Sequence, residues 1–224
     1  MKKITIAIDG PAAAGKSTIA QEVAKRLNYT YIDTGAMYRA VTLYCLNHQI
    51  NCQNESEVEK VLNNINIELK PQHIVLLNNQ DVSFDIRSRE VNANVSYIAS
   101  YKNVRLFLVE QQRKMALHDS IVMDGRDIGS YVLPNADVKI FQVASVETRA
   151  QRRFLENKQK GIECTLTFIL EEVKKRDYID SHRDFAPLVK ANDAIEIDTS
   201  NLTIDEVVDL VLKIINEKVG NINE

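Results

Sequence analysis

The chain is poor in the residues that build metal centres and crosslinks, having only three cysteines and four histidines. Cys45, Cys52 and Cys164 are odd in number and form no CxxC pair, which fits a reducing, cytoplasmic setting better than a disulfide scaffold. The histidines are scattered and make no HExxH, so a zinc held by the protein is not expected. No apolar run reaches the length of a membrane span, so no membrane partner is expected. Excess positive charge is also missing. The formal net charge is -3, which argues against a nucleic-acid partner. Met1, Lys2 and Lys3 followed by apolar residues imitate the opening of a secretory signal, but the apolar stretch stops at Asp9 after five residues, short of the roughly 7 to 15 a signal core needs. Repeats and low-complexity tracts are absent. What remains is 224 residues, 45% of them hydrophobic, enough to bury the core of one domain spanning 1–224.

Near the start, Ile4 to Thr18 read ITIAIDGPAAAGKST, in which GPAAAGKS places two glycines five positions apart and follows them with Lys and Ser. A short buried strand precedes Gly10 and a helix pattern opens at Ser17, so strand, loop and helix come in the order a phosphate cradle requires. Glycine lets the backbone bend and approach closely, so that several N–H groups converge on phosphate oxygens, and the helix start adds its positive end. Gly10, Pro11, Ala12, Ala13, Ala14, Gly15, Lys16, Ser17 and Thr18 are therefore the expected triphosphate site. Lys16 supplies a compact charge to the terminal phosphates, and Ser17 or Thr18 offers a hydroxyl to a magnesium ion that keeps most of its waters.

Short apolar runs at 4–8, 29–32, 121–123, 138–143 and 195–197 alternate with amphipathic patterns at 17–27, 36–47, 104–117, 145–160, 165–180 and 203–218. That alternation predicts an α/β fold, a parallel central sheet flanked by helices. Between Asn64 and Ile86, NINIELK, HIVLLNN and DVSFDI read instead as three short strands. They predict a small β-rich insert at about 63–86, either a flap over an acceptor site or simple decoration. Lys158, Lys160 and the helix-ending Gly161 mark a second mobile hairpin between two helices, at Glu156 to Cys164.

SIVMD ends in Asp124, an acidic residue at the carboxyl end of a buried strand, where magnesium or its water shell would sit. Arg126 and Asp127 follow at once, with Gly125 and Gly129 allowing tight turns. Thr34, Gly35, Tyr38 and Arg39 stand at the end of the second strand, the edge at which open α/β sheets bind ligands, and the fork of Arg39 suits a second phosphate. RDYIDSHR sets Arg176, Asp180 and Arg183 at spacings of four and three, on one helix face, either as an internal ladder or as a cleft-facing trio continuing the apolar stripe of Leu166, Ile169, Leu170 and Val173. Arg149, Arg152 and Arg153 add local positive charge for small phosphates.

GPAAAGKST, TGAMYR, DGRDIG and RDYIDSHR, in that order and with a β-like insert after the second, resemble the bacterial cytidylate kinases over Ile4 to about Ile215. The resemblance implies a P-loop nucleoside monophosphate kinase fold with a core of 1–62, 87–150 and 165–224, a monophosphate-binding insert and a lid at about 151–164. It implies transfer of the γ-phosphoryl group of ATP, with Mg2+, to CMP and dCMP in pyrimidine metabolism, by a cytoplasmic monomer. By the same resemblance, Lys16, Asp124, Arg126 and Arg183 are catalytic, and Ser17 and Asp124 meet the metal. Arg39, Arg126 and Arg183 hold the acceptor phosphate with Thr34 and Tyr38 nearby, Arg176 and Asp180 hold the ribose, and Ser96, Arg105 and Asp127 read cytosine. Arg149, Arg152 and Arg153 belong to the lid side. Where many members carry a proline before Val104 and Arg105, this chain has Tyr101, Lys102 and Asn103.

Chemistry agrees with such roles. A nucleoside monophosphate is already anionic, so attack on ATP needs positioning and charge stabilisation more than a base. A carboxylate accepts from the 4-amino group of cytosine and repels the carbonyl oxygen of uracil, a discrimination of about 1–3 kcal/mol for a good bidentate contact. The alternative is another P-loop kinase, of a different monophosphate such as AMP or of a small metabolite such as shikimate. A GTPase would carry a guanine-reading NKxD, whereas the NK of ENKQKG lacks the aspartate.

Overall fold

The computed structural model describes residues 3–159 and 161–220, so Met1, Lys2 and Lys160 of the motifs above lie outside the described residues. In chain order the elements are β1 (Thr5–Asp9), α1 (Lys16–Leu27), β2 (Thr30–Asp33), α2 (Thr34–Asn47), α3 (Glu55–Lys60), β3 (Ile67–Lys70), β4 (Ile74–Leu77), β5 (Gln80–Asp81), α4 (Arg89–Ser100), α5 (Lys102–Met115), β6 (Ile121–Gly125), β7 (Val138–Val143), α6 (Val146–Gln159), α7 (Leu166–His182), β8 (Ile195–Asp198) and α8 (Ile204–Val219). The expected α/β architecture is present. A five-stranded sheet runs β2-β6-β1-β7-β8, with β1 parallel to both β6 and β7, and β7 parallel to β8. The chain forms two compact units, one of residues 1–31 and 118–224, the other of residues 32–117.

In the first unit β1 is central, and its TIAID run is buried from Ile6 onward because it has a neighbour on each side. Ile19, Ala20, Val23 and Ala24 of α1 and Val207, Val208, Val211, Ile214 and Ile215 of α8 pack with Ile6, Ile8, Val122, Val138, Ile140 and Ile197 into one core. Each fully buried Val or Ile contributes about 1.5–3 kcal/mol relative to exposure. Helix α8 opens on a reciprocal capping box in which the Thr203 hydroxyl accepts from the Glu206 N–H and the Glu206 carboxylate accepts from the Thr203 N–H. A smaller cluster of Ala150, Ile169 and Val173 joins α6 to α7.

The second unit has its own core, built from α2, α3, α4, α5 and the antiparallel sheet β3-β4-β5. The expected meander is there, but its third member is shorter than DVSFDI. β5 covers only Gln80 and Asp81, because the Asp81 carboxylate accepts from both the Ser83 N–H (2.9 Å) and the Ser83 hydroxyl (2.5 Å), turning the chain out of the ladder. Two helices of this unit, α3 and α4, go beyond the sequence patterns. Asn54 caps the first and Ser88 the second, and α4 buries Val91, Val95 and Ile98 at helical spacing.

Candidate active site

The loop between β1 and α1 is shaped by close approach. A Cβ added to Gly10 would lie 2.0 Å from the Gln142 backbone oxygen, so only glycine fits beside β7 there. Gly15, at φ +88°, precedes α1, whose N-terminus carries no side-chain cap and so keeps its N–H groups for an anion. Ala13 also takes a left-handed conformation, φ 57°, which an L residue holds only when neighbours determine it.

Lys16 is buried, and its Nζ donates to the Pro11 carbonyl at 2.8 Å, folding the side chain across the loop. Burial and the Arg126 guanidinium push the Lys16 ammonium well below its ordinary pKa, although Asp124 and Asp9 pull the other way. The Ser17 hydroxyl donates to one oxygen of Asp124 (2.8 Å), and the Tyr31 hydroxyl donates to the other (2.8 Å). Ser17 and Asp124 thus present adjacent oxygen ligands, the donor type a hard cation takes, and they fit a magnesium ion completed by phosphate and water. Among the described residues no three His, Cys, Asp or Glu side chains gather as a metal cage.

Beyond β6 the chain makes one wide turn over Ile128–Val132. Asp9 holds its start, one carboxylate oxygen accepting from the Ile128 N–H (2.8 Å) and the other from the Gly129 N–H (2.7 Å). Burial outweighs these two donors and pushes the Asp9 pKa up to about 7. The unfolded chain ionises this carboxyl near 3.8, so the folded state binds the extra proton between that value and about 7. Its contribution to stability is therefore full below the lower value and lost as pH rises through the upper one. Thermal unfolding from pH 5 to 8 is expected to show a falling midpoint in the wild type and a flatter profile in Asp9→Asn. Parallel profiles would remove Asp9 from this role.

Arg126, Asp127, Asp180 and Arg183 form one network. Arg126 Nε donates to Asp180 at 2.9 Å, and Arg183, whose side chain is 2% exposed, approaches Asp127 at 3.4 Å and Asp180 at 3.9 Å. Arg183 also donates through Nε to the Ala186 carbonyl (2.8 Å). Burial by itself would raise the pKa of Asp180, but the guanidinium groups of Arg126, Arg176 and Arg183 outweigh it and hold the carboxyl below its usual range. Arg176 is pushed down to about 10 by burial and by Arg126, and its buried Nε donates to no acceptor among the described residues. Concentrated cations that are only partly neutralised are what an anionic ligand would complete.

Of the arginines expected on the lid side, Arg149 donates to the Ala144 and Ala12 carbonyls (both 2.9 Å) and pairs with Asp177. Arg152 donates to the Thr199 carbonyl (2.5 Å) and to that of Ala14 (3.4 Å), and Arg153 pairs with Glu156 (3.2 Å). The loop, Asp124, Arg126, Asp127, Arg176, Asp180 and Arg183 all belong to the first unit.

Thr34, Tyr38, Arg39, Ser96 and Arg105 belong to the second unit. Thr34 opens α2, capped by Asp33, which accepts from the Ala36 N–H (2.9 Å) and meets Arg87 (3.3 Å). Arg39 donates to the Asn92 side-chain oxygen (2.6 Å) and to the Ile86 carbonyl (3.3 Å). Arg105 is 1% exposed, donates to the Ala99 carbonyl (2.9 Å) and lies over the Tyr38 ring at 5.3 Å. Ser96 is buried on α4. Tyr31, Asn92, Gln142 and Asp177 were not among the expected residues, yet each holds an expected group or the loop itself, and Asp9, also unforeseen, holds the turn that follows Asp127. Asp177 lies inside RDYIDSHR and Asp9 immediately before the loop, so adjacency was the available signal.

A family profile described as cytidylate kinase matches residues 6–217. Among curated relatives, a cytidylate kinase of Clostridioides difficile is 53% identical over 216 residues, covering 96% of this chain and 100% of the relative. Another, from Anoxybacillus flavithermus, is 52% identical over 221 residues, covering 97% and 98%. Solved structures of similar fold include a shikimate kinase from Acinetobacter baumannii in complex with shikimate. It has a TM-score of 0.50 at 11% identity, covering 98% of this chain and 97% of that one. A further one is an uncharacterized protein from Eubacterium ventriosum, with a TM-score of 0.51 at 15% identity, covering 96% and 99%. At these identities the structural likeness concerns the fold alone.

Proposed function

The chain belongs to the cytidylate kinase family, and from that membership we propose how its own residues carry out the phosphorylation of CMP by ATP. The observation that carries the assignment of roles is the charge arrangement of the first unit, in which the loop with Lys16 and Ser17 stands with Asp124, Arg126, Asp180 and Arg183. Gly10 to Thr18 bind the ATP triphosphate through backbone N–H groups. Lys16 moves from the Pro11 carbonyl to the phosphates, where its charge offsets that developing in transfer. Ser17 and Asp124 would hold Mg2+, which supplies charge neutralisation at the phosphate oxygens when bound.

On the acceptor side Arg39, Arg126 and Arg183 hold the phosphate, with Thr34 and Tyr38 beside it. Arg176 and Asp180 take the ribose hydroxyls, and Ser96, Arg105 and Asp127 read cytosine. The acceptor phosphate attacks as an anion, and its alignment with the γ-phosphorus supplies the main part of the acceleration. The reading extends to dCMP as a second acceptor, to the segments at about 63–86 and 151–164 as insert and lid, and to a cytoplasmic monomer. No helix among the described residues is long and apolar enough to cross a membrane.

ADP formation measured with CMP, dCMP, UMP and AMP tests the proposal: rates are expected to be highest with CMP and dCMP, and a preference for AMP would overturn it. Asp127→Ala is expected to narrow the CMP over UMP preference by about 1–3 kcal/mol, or roughly 5- to 150-fold in kcat/KM. An unchanged ratio would remove Asp127 from base reading.

A further inference from the structure

Asp177 has no role in the reaction as described, yet it touches the phosphate loop directly. Its Oδ1 accepts from the Ala12 N–H at 3.0 Å, while its Oδ2 pairs with Arg149 Nη1 at 2.5 Å. The same Nη1 donates to the Ala12 carbonyl at 2.9 Å. An Asp on α7 and an Arg on α6 therefore grip one loop residue from both sides of its Cα. We propose that Asp177 and Arg149 are positioning residues for ATP, a clamp that sets the direction of the loop peptides before the triphosphate arrives. The proposal deepens the kinase reading and rests on it.

Peptide geometry gives the clamp its effect. A trans peptide is planar, so its C=O and the following N–H point in opposite directions. With the Ala12 carbonyl held by Arg149, the Ala13 N–H is turned the other way. Gln142 Nε2 (2.5 Å) and Arg152 (3.4 Å) do the same at the Ala14 carbonyl, which turns the Gly15 N–H. The Ala12 and Ala14 carbonyls are drawn to side chains, and the Ala13 and Gly15 N–H groups are turned away from them, toward where an anion would sit. Ala13 sits at φ 57° between these two held carbonyls, a conformation that alanine keeps only where its neighbours impose it. Arg149 is buried at 5% side-chain exposure and is anchored again at the Ala144 carbonyl (2.9 Å), so the grip comes from a fixed point.

The test is ATP affinity by calorimetric titration, together with KM for each substrate, in the full chain. Asp177→Ala is expected to weaken ATP binding about tenfold, the usual scale for a hydrogen bond to a charged group, and to raise KM for ATP while leaving KM for CMP unchanged. Asp177→Asn keeps an acceptor for the Ala12 N–H but turns a donor toward Arg149, and an intermediate loss is expected. Because the two residues act as one device, Asp177→Ala combined with Arg149→Ala should cost no more than the worse single variant. A lowered thermal midpoint with unchanged ATP affinity, equal rises in both KM values, or penalties that multiply would each overturn the clamp. A wild type that binds no ATP would instead overturn the kinase reading beneath it.

Discussion

Replacing Lys16 with alanine is expected to lower kcat with CMP by about two to three orders of magnitude, the scale seen when a preorganised charge is removed from a transition state. In this structure Lys16 is 4% exposed and rests on the Pro11 carbonyl, and burial, with Arg126 second, lowers its pKa. An ammonium held against such opposition is poised to gain from a polyanion, because binding ATP reverses the sign of the local field. Pro11 is half-buried and loses only this one donor, so the fold should survive. The measurement is single-turnover ADP formation alongside the thermal unfolding midpoint. A variant that keeps its midpoint and near-normal turnover would take Lys16 out of the transfer step. Lys16→Arg separates charge from fit: a wide fork in place of a compact ammonium should restore little activity at a buried position.

The parts of this site that were legible in advance are those where one local rule decides the outcome. Strand, glycine loop and helix at 4–27 follow from apolar clustering and from backbone freedom at Gly10 and Gly15, both of which the structure uses. Asp124 at the end of β6 followed from the same reasoning, and it receives the Ser17 hydroxyl. α4 was harder to see, because Ser88 and three spaced valine and isoleucine positions are diluted by Asn92, Asn94 and Ser96 on the same segment. The length of β5 depended on whether the Asp81 carboxylate would take the Ser83 hydrogens or leave the strand to continue, a competition that strand propensity does not register. Arg183 was assigned to a helix face with Arg176 and Asp180, but α7 ends at His182 and Arg183 is its extended C-cap residue, φ -67° and ψ 143°. Asn92 escaped notice for a different reason. Its amide hydrogens go to the Arg87 and Ser88 carbonyls (both 3.0 Å) and its oxygen to Arg39, an arrangement that exists only once α2 and α4 are packed. Pairwise partners across the chain are the part of a site that local pattern carries least.

That C-cap position makes Arg183→Ala the second large effect. The guanidinium is buried between Asp127 (3.4 Å) and Asp180 (3.9 Å) and donates to the Ala186 carbonyl (2.8 Å). Two consequences follow and pull on different measurements. Deleting the cation leaves two buried carboxylates with one partner fewer, and breaking a buried pair in this way costs about 3–5 kcal/mol. Asp180 keeps Arg126 at 2.9 Å and Arg176 nearby. Deleting it also removes a donor for the acceptor phosphate, and CMP-dependent turnover is expected to fall by at least about a hundredfold, as for loss of one charged transition-state contact. Background ATP hydrolysis, in which water takes the phosphoryl group and CMP takes no part, should fall far less. Arg183→Lys distinguishes the two consequences: it retains a charge near Asp127 and should recover much of the stability, but an ammonium cannot match the two-pronged contact with a phosphate and should recover little of the turnover. Comparing unfolding free energy with the ratio of CMP-dependent to CMP-independent ADP formation decides the matter. If both variants lose hydrolysis and transfer in equal measure, and in step with their stability, Arg183 serves the fold and not the acceptor.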